Sequence, residues 1–149
     1  MEGNIYKNAR RSAGLTQERW AEALGLAVDS VRRYENGERL PDDETVKTMA
    51  ELSGLSPLAY WHLCRKSAIA AAQLPPVERL PLPEAVIRLL LAAKELEPDI
   101  DMLLEIARDG AVAPEERDDF AMILGDIEKL LSAALAVKFA EGAQHGNEA

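Results

Sequence analysis

Leu15 to Gly37 reads Leu-Thr-Gln-Glu-Arg-Trp-Ala-Glu-Ala-Leu-Gly-Leu-Ala-Val-Asp-Ser-Val-Arg-Arg-Tyr-Glu-Asn-Gly, and this stretch decides the fold. Its large apolar residues are Trp20, Leu24, Leu26, Val31 and Tyr34. Trp20 to Leu24 and Val31 to Tyr34 are four and three apart, so the pattern predicts two short helices that each turn one stripe inward. Ala21 is small enough to let the two backbones close up, and Gly25 takes the positive φ of a sharp helix-ending turn. The expected product is a pair of helices meeting at a steep angle in one core.

Reading outward from it, a first helix runs from about Asn4 to Ala13, with Ile5 and Ala9 inward and Gly14 past its end. Thr16 caps the next helix, although Arg19 stands where a capping box would have Glu. Ala27 is a poor cap for the one after it. A loop over Glu38-Arg39-Leu40-Pro41 leads to a fourth helix, capped by Asp42 or Asp43 and ending at Ser53, with Val46, Met49, Ala50 and Leu52 as core contacts. Ser56-Pro57 starts a fifth, carrying Leu58, Trp61 and Leu63 and able to continue through the alanine-rich Ser67 to Gln73.

This arrangement resembles the helix-turn-helix of the phage-repressor (Cro/cI, or Xre-like) DNA-binding family. Gln17 opens the first motif helix, Ala21 and Gly25 fill the small-residue and turn positions, Val31 fills the β-branched position, and Tyr34-Glu35-Asn36-Gly37 is the family's usual ending. Arg10 upstream and Pro41 downstream extend the likeness to about residues 4 to 66. The resemblance implies a five-helix DNA-binding domain whose third helix enters the major groove. The base-contact set is then Gln17, Val28, Asp29, Ser30, Arg32 and Arg33, with an arginine reading guanine and Val28 meeting a thymine methyl. Asp29 departs from the polar or basic residue common at its position and is placed to pair with Arg32 or Arg33. The resemblance further implies phosphate contacts by Asn36, Arg39, Lys47, Arg11 and Arg19, and a structural ion pair between Arg10 and Glu35.

Leu74 to Pro83 holds four prolines in ten residues, which forbids a helix and favours an extended connection. The expected organisation is a helix-turn-helix domain over 1–73, a proline-rich linker over 74–83, a helical dimerisation module over 84–141 and a disordered tail over 142–149. In the module, Glu84 to Glu97 carries Val86, Leu89, Leu90, Ala93 and Leu96 on one side. Asp99 to Arg108 carries Ile100, Leu103, Leu104 and Ala107. A last helix of some 27 residues, roughly 40 Å at 1.5 Å per residue, starts at Pro114 or Glu115, and its apolar residues from Phe120 to Val137 recur at three and four. An apolar face that outruns its own domain pairs with a copy of itself, so the whole reads as all-α, a DNA-binding domain followed by a small helical module that makes a homodimer.

Charge is distributed to suit that division. The chain carries 17 basic and 26 acidic residues, a net −9; residues 1–66 hold ten of each sign, and all the excess acid lies beyond them. A neutral first half with its arginines gathered near the motif can present a basic face. The single cysteine, Cys64, excludes an internal disulfide framework and is read as a small buried hydrophobe. No basic-then-apolar leader precedes Ile5 and no apolar run is long enough to cross a bilayer, so no membrane partner and a bacterial or phage-encoded cytoplasmic protein are expected.

His62 and His145 find too few partners for a zinc site or a Cys-His nucleophile, and no enzyme, metal or cofactor is expected. Glu105 to Glu116 has the spacing of a calcium loop at its middle and end, but Ala107 lacks the oxygen needed at the third position, so Asp109-Gly110 reads as a helix stop. The C-terminal helices leave room for a small-molecule effector that the sequence does not name. The expected function is a sequence-specific transcriptional regulator, most simply a repressor; the alternative is a protein-interaction module on the same scaffold with little DNA affinity, separable by salt-dependent binding to duplex DNA.

Overall fold

The computed structural model describes residues 3–108 and 110–142, and the chain divides into two compact units between Leu74 and Pro75. Among the described residues every regular element is helical. The first unit contains α1 (Ile5–Ser12), α2 (Gln17–Leu24), α3 (Val28–Asn36), α4 (Asp43–Ser53), α5 (Leu58–Lys66) and α6 (Ala68–Gln73).

The starts and stops follow local chemistry. Asn4 caps α1 by accepting from the backbone of Tyr6 and Lys7, Thr16 caps α2 by accepting from Arg19, and Asp42 caps α4 by accepting from Thr45. α3 begins at Ala27 with no side-chain cap. Gly25 ends α2 at φ 66° and Gly37 ends α3 at φ 75°, left-handed conformations in which a Cβ is strained. Ser67 breaks the helix that the alanine-rich pattern allowed to continue. Its backbone is extended at φ −124° and its hydroxyl accepts from the N–H of Ala70, so α6 is capped as a separate helix.

Trp20, Ala21, Val31 and Tyr34 meet Tyr6, Ala9, Val46, Met49, Leu55 and Leu58 in one buried core, with Leu24, Leu26 and Val28 packed at its edge. Fully burying a side chain of this size contributes roughly 1.5–3 kcal/mol, so this cluster is the main stabilising term of the unit. Three expected core positions are corrected. Leu52 and Leu63 are exposed, and Cys64 is half-buried. The inward place on α5 goes to His62, whose Nδ1 lies 2.8 Å from the Tyr6 hydroxyl. A polar ring is stable there because Tyr6 and Asp43 satisfy both its nitrogens.

The second unit contains α7 (Leu82–Leu96), a 3₁₀ turn (Glu97–Asp99), α8 (Ile100–Ala107), a second 3₁₀ turn (Pro114–Glu116) and α9 (Arg117–Lys138). Asp109, at the expected helix stop, lies outside the described residues; Gly110 beside it has φ 73°. The expected tail also lies outside them from 143 onward. α9 has 22 residues, about 33 Å at 1.5 Å per residue, shorter than the pattern suggested.

α7 and α9 pack through small residues, with Ala85, Ala136 and Ala140 buried together and Leu80 and Val137 against them. The inward side of α7 is therefore Ala85, Leu89, Ala92 and Leu96, whereas Val86 and Leu90 are exposed. The pattern misassigned that side because α7 is apolar almost all round. The proline-rich stretch is laid along this unit: Val77 is buried, the Ser132 hydroxyl donates to the Pro76 carbonyl at 2.6 Å, and the Glu141 N–H donates to the Leu80 carbonyl at 3.0 Å.

Candidate nucleic-acid interface

α2 and α3 are joined through Gly25, where the Leu26 N–H donates to the Ala21 carbonyl at 2.9 Å and closes the turn. With Val31, Tyr34 and Glu35 facing the core, the opposite edge of α3 is fixed by helical periodicity. Asp29, Arg32, Arg33 and Asn36 are exposed and Ser30 is half-exposed on that edge. Val28, read as a base-contact residue, is half-buried and packs against the core, because it sits in the first turn of α3 beside the α2 end.

The side chains are ordered by a charged relay that starts inside the unit. Arg10 and Glu35 are joined by two hydrogen bonds, with Nε at 2.6 Å and Nη2 at 3.0 Å. Arg10 also donates from Nη1 to the Leu15 carbonyl at 2.8 Å, tying α1 to the loop before α2. The Gln17 amide donates to the second Glu35 oxygen at 2.8 Å, and its own oxygen accepts a longer bond of 3.4 Å from Arg32 Nε. Burial pushes the Glu35 carboxyl up, but the bonds from Arg10 and Gln17 and the charges of Arg10 and Lys7 outweigh it, leaving the carboxyl below its ordinary 4.5. Gln17 is thus pinned at the head of α2 with both ends of its amide bonded within the protein, one amide hydrogen and one oxygen lone pair being left over.

Arg33 Nε lies 2.9 Å from Asp29 Oδ2, an exposed pair one helical turn apart. Such a pair is worth well under 1 kcal/mol, so Arg33 can leave it for a stronger acceptor at little cost. Asn36 donates to Glu38 at 3.0 Å, and Arg19 pairs with Glu22 at 3.2 Å. Arg11, Arg39 and Lys47 are exposed. Sequence reasoning missed Asn4, whose side-chain amide donates to the Tyr34 carbonyl at 2.7 Å while its oxygen caps α1. It also missed the Tyr6–His62–Asp43 chain, which Lys66 completes with a 2.6 Å bond to Asp43. An asparagine just ahead of an apolar helix signals the first; nothing in the sequence signals the second.

No group of three or more His, Cys, Asp or Glu among the described residues is arranged to hold a metal ion. No helix among them is long and apolar enough to cross a membrane. A helix-turn-helix family model matches residues 7–60, from within α1 to the first turn of α5 and across the whole of α2 and α3. No curated protein and no solved structure matches the chain.

Proposed function

Because residues 7–60 are a Cro/cI-type helix-turn-helix domain, the DNA-binding module of a regulator, we propose that the chain is a cytoplasmic, sequence-specific transcriptional repressor that acts as a homodimer and has no catalytic role. The α3 edge bearing Ser30, Arg32 and Arg33 supports this most directly, since it is exposed, carries two guanidinium groups and is backed by a rigid core. Arg32 and Arg33 read base edges or the phosphates beside them, Gln17 contributes its remaining amide hydrogen and oxygen lone pair, and Asn36, Arg39, Lys47, Arg11 and Arg19 set the register on the backbone. Val28 serves α3 more through packing than through the groove.

The second unit supports the homodimer. Its packed centre is largely alanine, while Ile87, Leu90, Leu91, Leu104 and Leu131 are exposed. Leaving so much aliphatic surface in water is costly, and a second copy offers the same surface in return. We assign 74–83 the role of linker and 84–141 that of the pairing module.

Fluorescence anisotropy with mixed-sequence duplex DNA tests the reading. Binding is expected at low salt, falling steeply as salt rises, and a selection from random duplexes is expected to return a two-fold repeated motif. Arg32→Ala with Arg33→Ala is expected to abolish binding while sedimentation still shows the dimer. Absence of binding by the folded protein at low salt would overturn it in favour of a protein-interaction module.

A further inference from the structure

We propose that the outer face of α7 is the seam of an antiparallel, two-fold pairing with α7 of a second copy of this chain, an inference that rests on the homodimer reading above. α7 turns Ala85, Leu89, Ala92 and Leu96 toward its own unit. At 100° per residue the opposite side is the line Glu84, Ile87, Leu91 and Lys94, with Leu90 along its flank. Ile87, Leu90 and Leu91 are 58%, 61% and 57% exposed, three large aliphatic side chains within two turns that are left mostly in water. A helix apolar on both sides belongs inside an assembly, not at its surface.

The charges that close this line select both the occupant and its direction. The spacing Glu84, Ile87, Leu91, Lys94 is three, four, three, symmetric about residue 89 and opposite in sign at its two ends. A second α7 laid antiparallel about that point sets Ile87 against the partner's Leu91 and Glu84 against the partner's Lys94. The two-fold axis repeats both contacts, as an isologous interface requires. A parallel pairing would instead set each of these charges against its own kind, which is unfavourable and specifies against it.

The groups are free to do this. One Glu84 oxygen accepts from Arg88 at 2.8 Å, leaving the other open, and Lys94 has no ion pair among the described residues. The net acid of the second half repels a second copy at long range, so a seam that is apolar between one acid and one base is the part of it that adds no like-charge contact.

Sedimentation equilibrium of the full chain at low salt tests the seam. Lys94→Glu turns two attractions into two repulsions and is expected to weaken the dimer about tenfold. Combining it with Glu84→Lys restores the attractions with reversed sign and is expected to return the dimer constant to within about threefold of the parent. Ile87→Lys is expected to give monomers of unchanged helicity by circular dichroism. A Lys94→Glu dimer as tight as the parent, a double swap no better than the single change, or a folded Ile87→Lys chain that still dimerises would each overturn this seam while leaving a homodimer through another face. A monomeric parent protein would instead overturn the homodimer reading.

Discussion

Arg10 grips Glu35 with two of its nitrogens, at 2.6 and 3.0 Å, and both side chains are largely withdrawn from water, 13% and 3% exposed. The pair ties α1 to the third helix of the motif, and through Gln17 to the head of the second. The orientation of the groove-facing edge is therefore set from behind.

Arg10→Ala leaves the Glu35 carboxylate buried with the Gln17 amide still donating to it, and is expected to cost about 3 kcal/mol in urea unfolding. Replacing both, Arg10→Met with Glu35→Leu, is expected to recover most of that loss, because no charge is then left buried alone. A loss under about 1 kcal/mol for the single change would contradict the structural role.

The same carboxyl predicts an acid limit. Its folded value lies below the ordinary 4.5, so its stabilising contribution is complete above that pH and is lost as pH falls through the folded value. Unfolding midpoints measured from pH 7 down to 3 should fall more steeply for the parent than for Glu35→Gln, which has no proton to take up.

Tyr6→Phe removes the hydroxyl 2.8 Å from His62 Nδ1 and strands that nitrogen in the core. The expected cost is about 1–2 kcal/mol, with the near-ultraviolet spectrum otherwise preserved. His62 itself is buried, so a neutral result would contradict the hydroxyl's role in satisfying the ring.

Asp29→Asn releases Arg33 from its 2.9 Å partner and removes a negative charge from the edge proposed to face DNA. Duplex affinity is expected to rise a few-fold at fixed salt, with a steeper salt dependence if Arg33 then neutralises a phosphate. Unchanged binding would place Arg33 outside the interface.

Two glycines should respond in opposite directions. Gly25 has φ 66° with open space around a would-be Cβ, so Gly25→Ala should lose about 1 kcal/mol to backbone strain alone. Gly125, inside α9 and equally uncrowded, should gain up to about 1 kcal/mol on becoming alanine.

The residues by themselves determined the first unit. Trp20, Ala21, Gly25, Val31 and Tyr34 belong to local patterns in which spacing fixes the face, glycine fixes the turn and one core satisfies them all. The exposed edge of α3 follows from the same periodicity. What the tertiary structure decided depends on which neighbour arrives. Val28 slipped toward the core, His62 replaced Leu63 as the inward residue of α5 because Tyr6 and Asp43 meet its ring, and Ser67 capped a separate helix. In the second unit α7 is apolar on both sides, so the pattern set Val86 and Leu90 on the inner side although they are exposed; only the close approach of Ala85 to Ala136 chose the inner face.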